Sequence, residues 1–421
     1  MNFARSKEFQ AVVAGKNSSL RTLLDRMQNL DHWQPYYNQG LDTYAWTQQK
    51  HTPLETFAKW LHANVPPDGA TNNAAIAPAI LQVLQPHEKI LKSFADAARR
   101  PSFQVTTNRT ARSVIQPPKV ELDALVRLHF IFTLRSLARL ETSRAADAGD
   151  DLLTSLQLAR LARQSPDLLS SRREQALLGR SFQSLWEGLE RHQWSDAQLA
   201  AFQKELAGFN LLADHTNAIH RTVLAHIELW RAIADSKSSG ASLPSSDGSF
   251  TRKTGPQWQP QTWWLNHCIA LHQLGKNLIG QMDLTNEFCQ FNVSWSTLNS
   301  LPLDQDTQQL LGQHEWYSAN PAHVTVAQTW LNQARIALAL ERQRIADGHY
   351  PPTLNQLIPG QLSRIPNDVA LGRPMHYQRL DQDHYLLRGF GFDRQNGRTN
   401  LVSDDWLWAY PTNAPAAAES P

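Results

Sequence analysis

Cysteine is nearly absent: Cys268 and Cys289 are the two in 421 residues. Two thiols 21 positions apart make neither a disulfide framework nor a zinc site, both of which need more sulfur at closer spacing. They read as free core thiols, with a single bridge between them as the alternative. Long apolar runs are also missing. No stretch approaches the ~18 residues of a membrane helix, and Met1–Ser19 has no apolar centre of the kind a signal peptide requires. The chain is therefore expected to be cytoplasmic, or to have had an anchor removed. Charge of one sign is not in excess. Forty Lys and Arg stand against 38 Asp and Glu, a net charge of +2, so the electrostatic footprint of a nucleic-acid partner is missing. No Gly-x-Ser-x-Gly elbow, His-Glu-x-x-His pair or phosphate-cradling glycine loop occurs. His226-Ile227-Glu228 has the outline of a deaminase signature but lacks its Pro-Cys-x-x-Cys half.

What is present builds a core. Hydrophobic residues make up 41% and charged residues 19%, which argues against wholesale disorder, and the length suits two or three domains. Tryptophan is plentiful, and Trp258, Trp263, Trp264, Trp295, Trp316 and Trp330 fall close together. Packing is the favoured reading of this cluster, because each large ring buries much area. A carbohydrate-stacking platform is the alternative.

Helical periodicity dominates up to about residue 290. Leu20, Leu23, Leu24, Met27 and Leu30 share helical spacing, as do Phe57, Trp60 and Leu61. A loop at 66–73 precedes a helix over about 76–99. Phe103, Val105, Val114 and Ile115 suit a short hairpin around Asn108-Arg109. From Glu121 to Ala148 a wide apolar face runs through Leu122, Leu125, Phe130, Leu134 and Leu137. Gly149 is read as its stop, and Asp150 or Asp151 as the cap of a helix over 152–164. Further helices are expected over 167–192, from the capping box Ser195-Asp196-Ala197-Gln198 to Ala207 with Gly208 as stop, and over 211–235. Short connections make 120–235 a bundle or stacked hairpins. The Ser- and Gly-rich stretch 236–257 is a flexible loop, read as an insertion because 261–290 resumes a helical pattern with Leu265, Ile269, Leu274 and Leu278.

The C-terminal part reads differently. A helix over His323–Ala346 ends at Asp347-Gly348, where glycine supplies a left-handed cap. Thr353 is placed to cap a short turn carrying Leu354 and Leu357, and Ile365-Pro366-Asn367-Asp368 is read as another turn. Strands are expected at Met375–Leu380, His384–Phe390 and Asp405–Tyr410, the first two joined by Asp381-Gln382-Asp383. The whole is mostly α: a helical bundle or stacked hairpins over 1–320, a small α+β module of one helix and a three-stranded antiparallel sheet over 321–412, and a disordered tail over 413–421.

The run Leu340-Glu341-Arg342 to His349-Tyr350-Pro351, then Gly372-Arg373-Pro374-Met375-His376-Tyr377, Tyr385-Leu386-Leu387, Gly391, Asp393 and Asp405 together resemble the C-terminal domain of the type II secretion major pseudopilins. About 320 residues precede the module here, and helix 323–346 is amphipathic, unlike the apolar leading helix of a pilus subunit. The arrangement looks more like bacterial envelope proteins in which a helical body precedes such a module. The resemblance implies an extracytoplasmic or membrane-anchored setting, with a protein or other envelope component as partner and membrane contact only through an anchor outside this chain. It also implies calcium in the loop 391–405, where Asp393, Asn396, Asn400, Asp404 and Asp405 offer the oxygens a hard cation needs. Arg394 stands where that family has glycine, and the preferred reading is that its guanidinium pairs with Asp404 or Asp405 in place of the ion.

Catalytic residues do not emerge. His215, His220 and His226 are spaced by five and six, turns of ~140° and ~240° that put neighbours on different faces, and His267 and His272 share the defect. The expected function is a non-enzymatic structural or interaction protein of the envelope. The rival is a hydrolase whose site gathers carboxylates and histidines from separate helices.

Overall fold

The computed structural model describes residues 3–14, 22–23, 54–61, 63, 73–100, 119–163, 167–235, 261–290, 319–389 and 406–409. The hairpin expected around 108, the loop 236–257, the loop 391–405 and the tail 413–421 lie outside them.

The described chain is mostly helical, with short antiparallel strand pairs at its C-terminal end, as the periodicity predicts. Near the start are α1 (Lys7–Val13) and α2 (Leu54–Leu61). The helix expected over 76–99 is two, α3 (Asn73–Leu84) and α4 (Glu88–Ala98), separated by a 3-10 turn at Gln85–His87. Pro86 is the reason, since it has no N–H for the helical ladder.

The next helix, α5 (Lys119–Glu141), stops eight residues before the glycine expected to stop it. The chain reverses at Thr142–Arg144, with Ser143 left-handed at φ 56°. Gly149 lies inside α6 (Ala145–Ala162). A side chain there would overlap Gln198, which crosses to donate to Ala145 O at 2.9 Å. Neither Asp150 nor Asp151 is a cap, and Asp151 is a buried carboxylate in the helix interior.

Asp167 caps α7 (Leu168–Glu190) by accepting from Ser170 N at 2.8 Å. The capping box opens α8 (Asp196–Ala207) as predicted, with Gly208 next, though at an ordinary φ of −74°. Then come α9 (Leu211–Asp235) and α10 (Gln261–Ile279). The helical pattern of 261–290 breaks at Gly280, and β1 (Met282–Asp283) pairs with β2 (Phe288–Cys289). On α10, His267, Cys268, Leu271, Leu274 and Leu278 are buried, whereas Leu265 and Ile269 are exposed. Cys268 and Cys289 are both free and buried.

The longest helix among the described residues, α11 (Pro321–Asp347), starts two residues before its predicted position, with Asn320 as cap and Pro321 in the first turn. Its buried side chains run from Pro321 to Glu341, and it packs on α7, α8 and α9. Gly348 ends it at φ 79°, the left-handed cap read from the sequence. Thr353 precedes a 3-10 turn over Leu354–Leu357, but its hydroxyl makes no cap bond. Asn367-Asp368 is not a plain turn: it forms β3 and pairs with β4 (Arg373–Pro374). The sheet has the predicted order, with β5 (His376–Arg379) and β7 (Trp406–Ala409) flanking β6 (Tyr385–Gly389), all antiparallel. One continuous set of buried apolar side chains extends from Phe3 through the helices to Trp408 on β7.

Candidate functional site

Three groups of polar side chains lie inside this core. The first joins α5, α6 and α7. Asp151 accepts from Arg135 through both oxygens, at 2.5 and 2.8 Å, and from Arg139 at 2.6 Å. Glu88, at the start of α4, reaches both arginines from the surface. Along the same seam the Ser136 and Ser184 hydroxyls meet at 2.6 Å, and His129 Nε2 meets Ser181 Oγ at 2.9 Å. A serine on a histidine is the germ of a hydrolase site. Here, though, the Ser181 hydroxyl also reaches Leu177 O at 3.2 Å and Ser155 Oγ at 3.1 Å, and both residues of the pair are 0% exposed. A nucleophile needs its proton aimed at the base and room for a reacting atom about 3 Å away. This pair holds three helices together.

The second group lies where α7, α9 and α11 begin. Gln175 Nε2 donates to Ser171 Oγ at 3.3 Å, Ser171 Oγ meets His215 Nδ1 at 3.2 Å, and His215 Nε2 meets Ala319 O at 3.3 Å. Burial pulls the His215 pKa down to about 4. His323, on the first turn of α11, is shifted the same way by burial, then by Arg172 and His215. Beside them Glu174 is fully buried, and neither carboxyl oxygen has a hydrogen-bond partner among the described residues. Burial, reinforced by Asp214, pushes its pKa well above the carboxylate range. Asp214 is raised by burial and opposed by Arg163, whose guanidinium lies 3.3 Å away.

The third group closes α11. Glu341 Oε2 accepts from the Tyr350 hydroxyl at 2.6 Å, and its two oxygens take Arg344 at 2.8 and 3.0 Å. His192, from the turn after α7, meets Oε1 at 3.0 Å. Burial opposes the charge, but the donors His192, Arg344 and Tyr350 win and hold Glu341 down at about 2. Nearby, Glu187 is pushed up to about 7 by burial.

Of the histidines singled out in the sequence, His215 and His267 are buried, while His220 and His272 face solvent. His226 bonds its own helix at Thr222 O, 2.8 Å away. The structure does not bring these five to one point. Trp330 is buried against Gly179. Trp258, Trp295 and Trp316 lie outside the described residues, as do Asp393, Asn396, Asp404 and Asp405 with the loop implied to hold calcium. Among the described residues no set of three or more His, Cys, Asp or Glu is placed to hold a metal ion, and no helix is long and apolar enough to cross a membrane.

Sequence reasoning missed Glu174, Asp151 and Glu341. The first two sit amid residues buried on most sides of their helices, where a charged letter looks like a solvated face. Glu341 belongs to the run that carries the pseudopilin likeness, and its spacing of nine from Tyr350 is visible in the sequence. No family model, no curated protein and no solved structure matches this chain.

Proposed function

We propose that the protein is a non-enzymatic structural or interaction protein of the bacterial envelope, in which the helical body carries a small pseudopilin-like sheet to a protein partner. One observation carries this reading: α11 belongs to body and sheet at once. Its first five turns are packed among α7, α8 and α9, and its end is clamped to its own exit by the Glu341–Tyr350 bond. The same exit holds β5, because Tyr377 donates to Pro351 O at 2.7 Å and Arg379 to Tyr350 O at 3.0 Å. A sheet fixed this way is displayed without independent motion, which suits recognition by a preorganised surface. The edge strand β5 shows His376, Gln378 and Arg379 to solvent. The polar groups inside the body also favour this reading over the hydrolase. Most are matched donor to acceptor across helix seams.

A photo-crosslinking residue at Gln378 in cells should capture one specific partner, and a probe at exposed Lys92 on α4, a helix that packs on α1 and α6, should not. The reading fails if the purified chain turns over ester, phosphate or glycoside substrates and Glu174→Gln or Glu187→Gln abolishes the turnover. With Arg394 in the place of the ion, millimolar calcium leaves the melting temperature unchanged; a rise would restore the calcium site at Asp393 and Asp405.

A further inference from the structure

We propose that the start of α11 is an acid-released latch: neutral His215 holds the Ala319–His323 turn against α7 and α9, and protonation of its ring frees it. The geometry fixes one protonation state. Gln175 has only N–H to offer Ser171 Oγ, so the hydroxyl proton is free to point at His215 Nδ1. The ring must then carry its proton on Nε2, which donates to Ala319 O. The relay from Gln175 through Ser171 and His215 to Ala319 thus runs in one direction and joins three elements. A proton added at Nδ1 reverses the middle bond. The Ser171 hydroxyl then faces two donors, and its own hydrogen has no acceptor in the relay. It also puts a positive charge on a ring that is 0% exposed.

The surrounding charges make that proton costlier. Arg172 on α7 acts on both rings, and the rings act on each other. The carboxylates nearby do not compensate. Glu174 on α7 and Asp214 on α9 act on one another and on Arg163 at the end of α6, not on the histidines. The hairpin after α10 brings Met282 to Thr216, while Asp283 stays in its own exposed turn with Asn286. Releasing the turn lets the His215 ring return to its ordinary value. The latch is therefore tightest above about pH 6.5, and protonation of His215 raises the open population by up to about tenfold per pH unit below it.

Amide hydrogen exchange of the full chain between pH 7.5 and 5, corrected for the intrinsic pH dependence of exchange, reads this directly. Residues 319–328 should lose protection with falling pH while α5 and α6 keep theirs. His215→Gln retains a donor for Ala319 O and does not titrate, so it should flatten the response by up to about tenfold per pH unit. Glu174→Gln should leave the response unchanged. Should His215→Gln fold poorly, His215→Asn serves as the second variant and should also make the slope shallower. The latch is overturned if the histidine variants respond to acid as the parent chain does, if Glu174→Gln moves the response as much as they do, or if all segments open together.

Discussion

A carboxyl group with no partner is the least favourable residue in this core. Glu174 is sealed between helices, its oxygens meet no donor among the described residues, and it stays protonated well above pH 4.5. A buried unsatisfied polar group costs roughly 1–3 kcal/mol, so Glu174→Leu should raise stability at neutral pH by about that amount in urea denaturation. The sign of its pH dependence is set by a folded pKa above the unfolded one. The unfavourable contribution is absent below pH 4.5 and grows as pH rises. The gain from Glu174→Leu should therefore shrink on acidification, and a gain equal at pH 4.5 and 7.5 would refute the assignment. Ser195 and Gly348 were legible because their roles are local: a capping box spans four residues and a left-handed cap needs glycine. Glu174 and Asp151 were not, because what makes them unusual is contributed by helices distant in sequence. Asp151 was even misread, since an acid a few residues past a glycine looks like a cap.

At the scale of elements, helices were found from their apolar spacing and misplaced where a tertiary contact overrode a local signal. Gly149 reads as a stop, but the structure needs it for the close approach of Gln198. The three-stranded sheet was legible because its strands are short, alternating and separated by evident turns. Its attachment to the body through Glu341 and His192 was not, as those residues lie 149 positions apart. The α5–α6 seam makes the firmest prediction at this scale. Asp151→Ala leaves Arg135 and Arg139, 5% and 9% exposed, with the half-exposed Glu88 as their one ion-pair partner among the described residues. Removing one member of a buried ion pair costs roughly 3–5 kcal/mol. Glu88→Gln touches the same network from the surface and should cost less than about 1 kcal/mol. Equal losses in the two variants would mean that the buried carboxylate does not organise the seam.

The whole molecule should be most stable near neutral pH and give way on the acid side. His129, His215 and His323 all have pKa values drawn below 6.5, chiefly by burial. Groups depressed in this way hold their contribution above pH 6.5 and lose it as pH falls, because the unfolded chain takes up the protons first. Glu174 and Glu187 act in the opposite sense. Glu187 is raised to about 7, so its unfavourable contribution sets in between pH 4.5 and 7, and Glu174 follows the same sign. Among the most strongly shifted groups, three histidines therefore oppose two carboxyls between pH 6.5 and 4.5, and stability should fall by on the order of 1 kcal/mol per pH unit. Below pH 4.5 the carboxyls no longer offset the histidines. Glu341, held at about 2, now loses its contribution as pH drops, since a depressed carboxylate stabilises only above its unfolded value. The decline should then steepen. Tyr350→Phe removes one donor from Glu341, lowers stability at neutral pH by roughly 1.5–3 kcal/mol, as for a hydrogen bond to a charged group, and makes the limb below pH 4.5 shallower. Because the buried apolar set runs unbroken from Phe3 to Trp408, far-ultraviolet circular dichroism and tryptophan fluorescence should report the same midpoint at each pH. A stability profile that stays flat or rises from pH 7 to 4 would overturn this balance of charges.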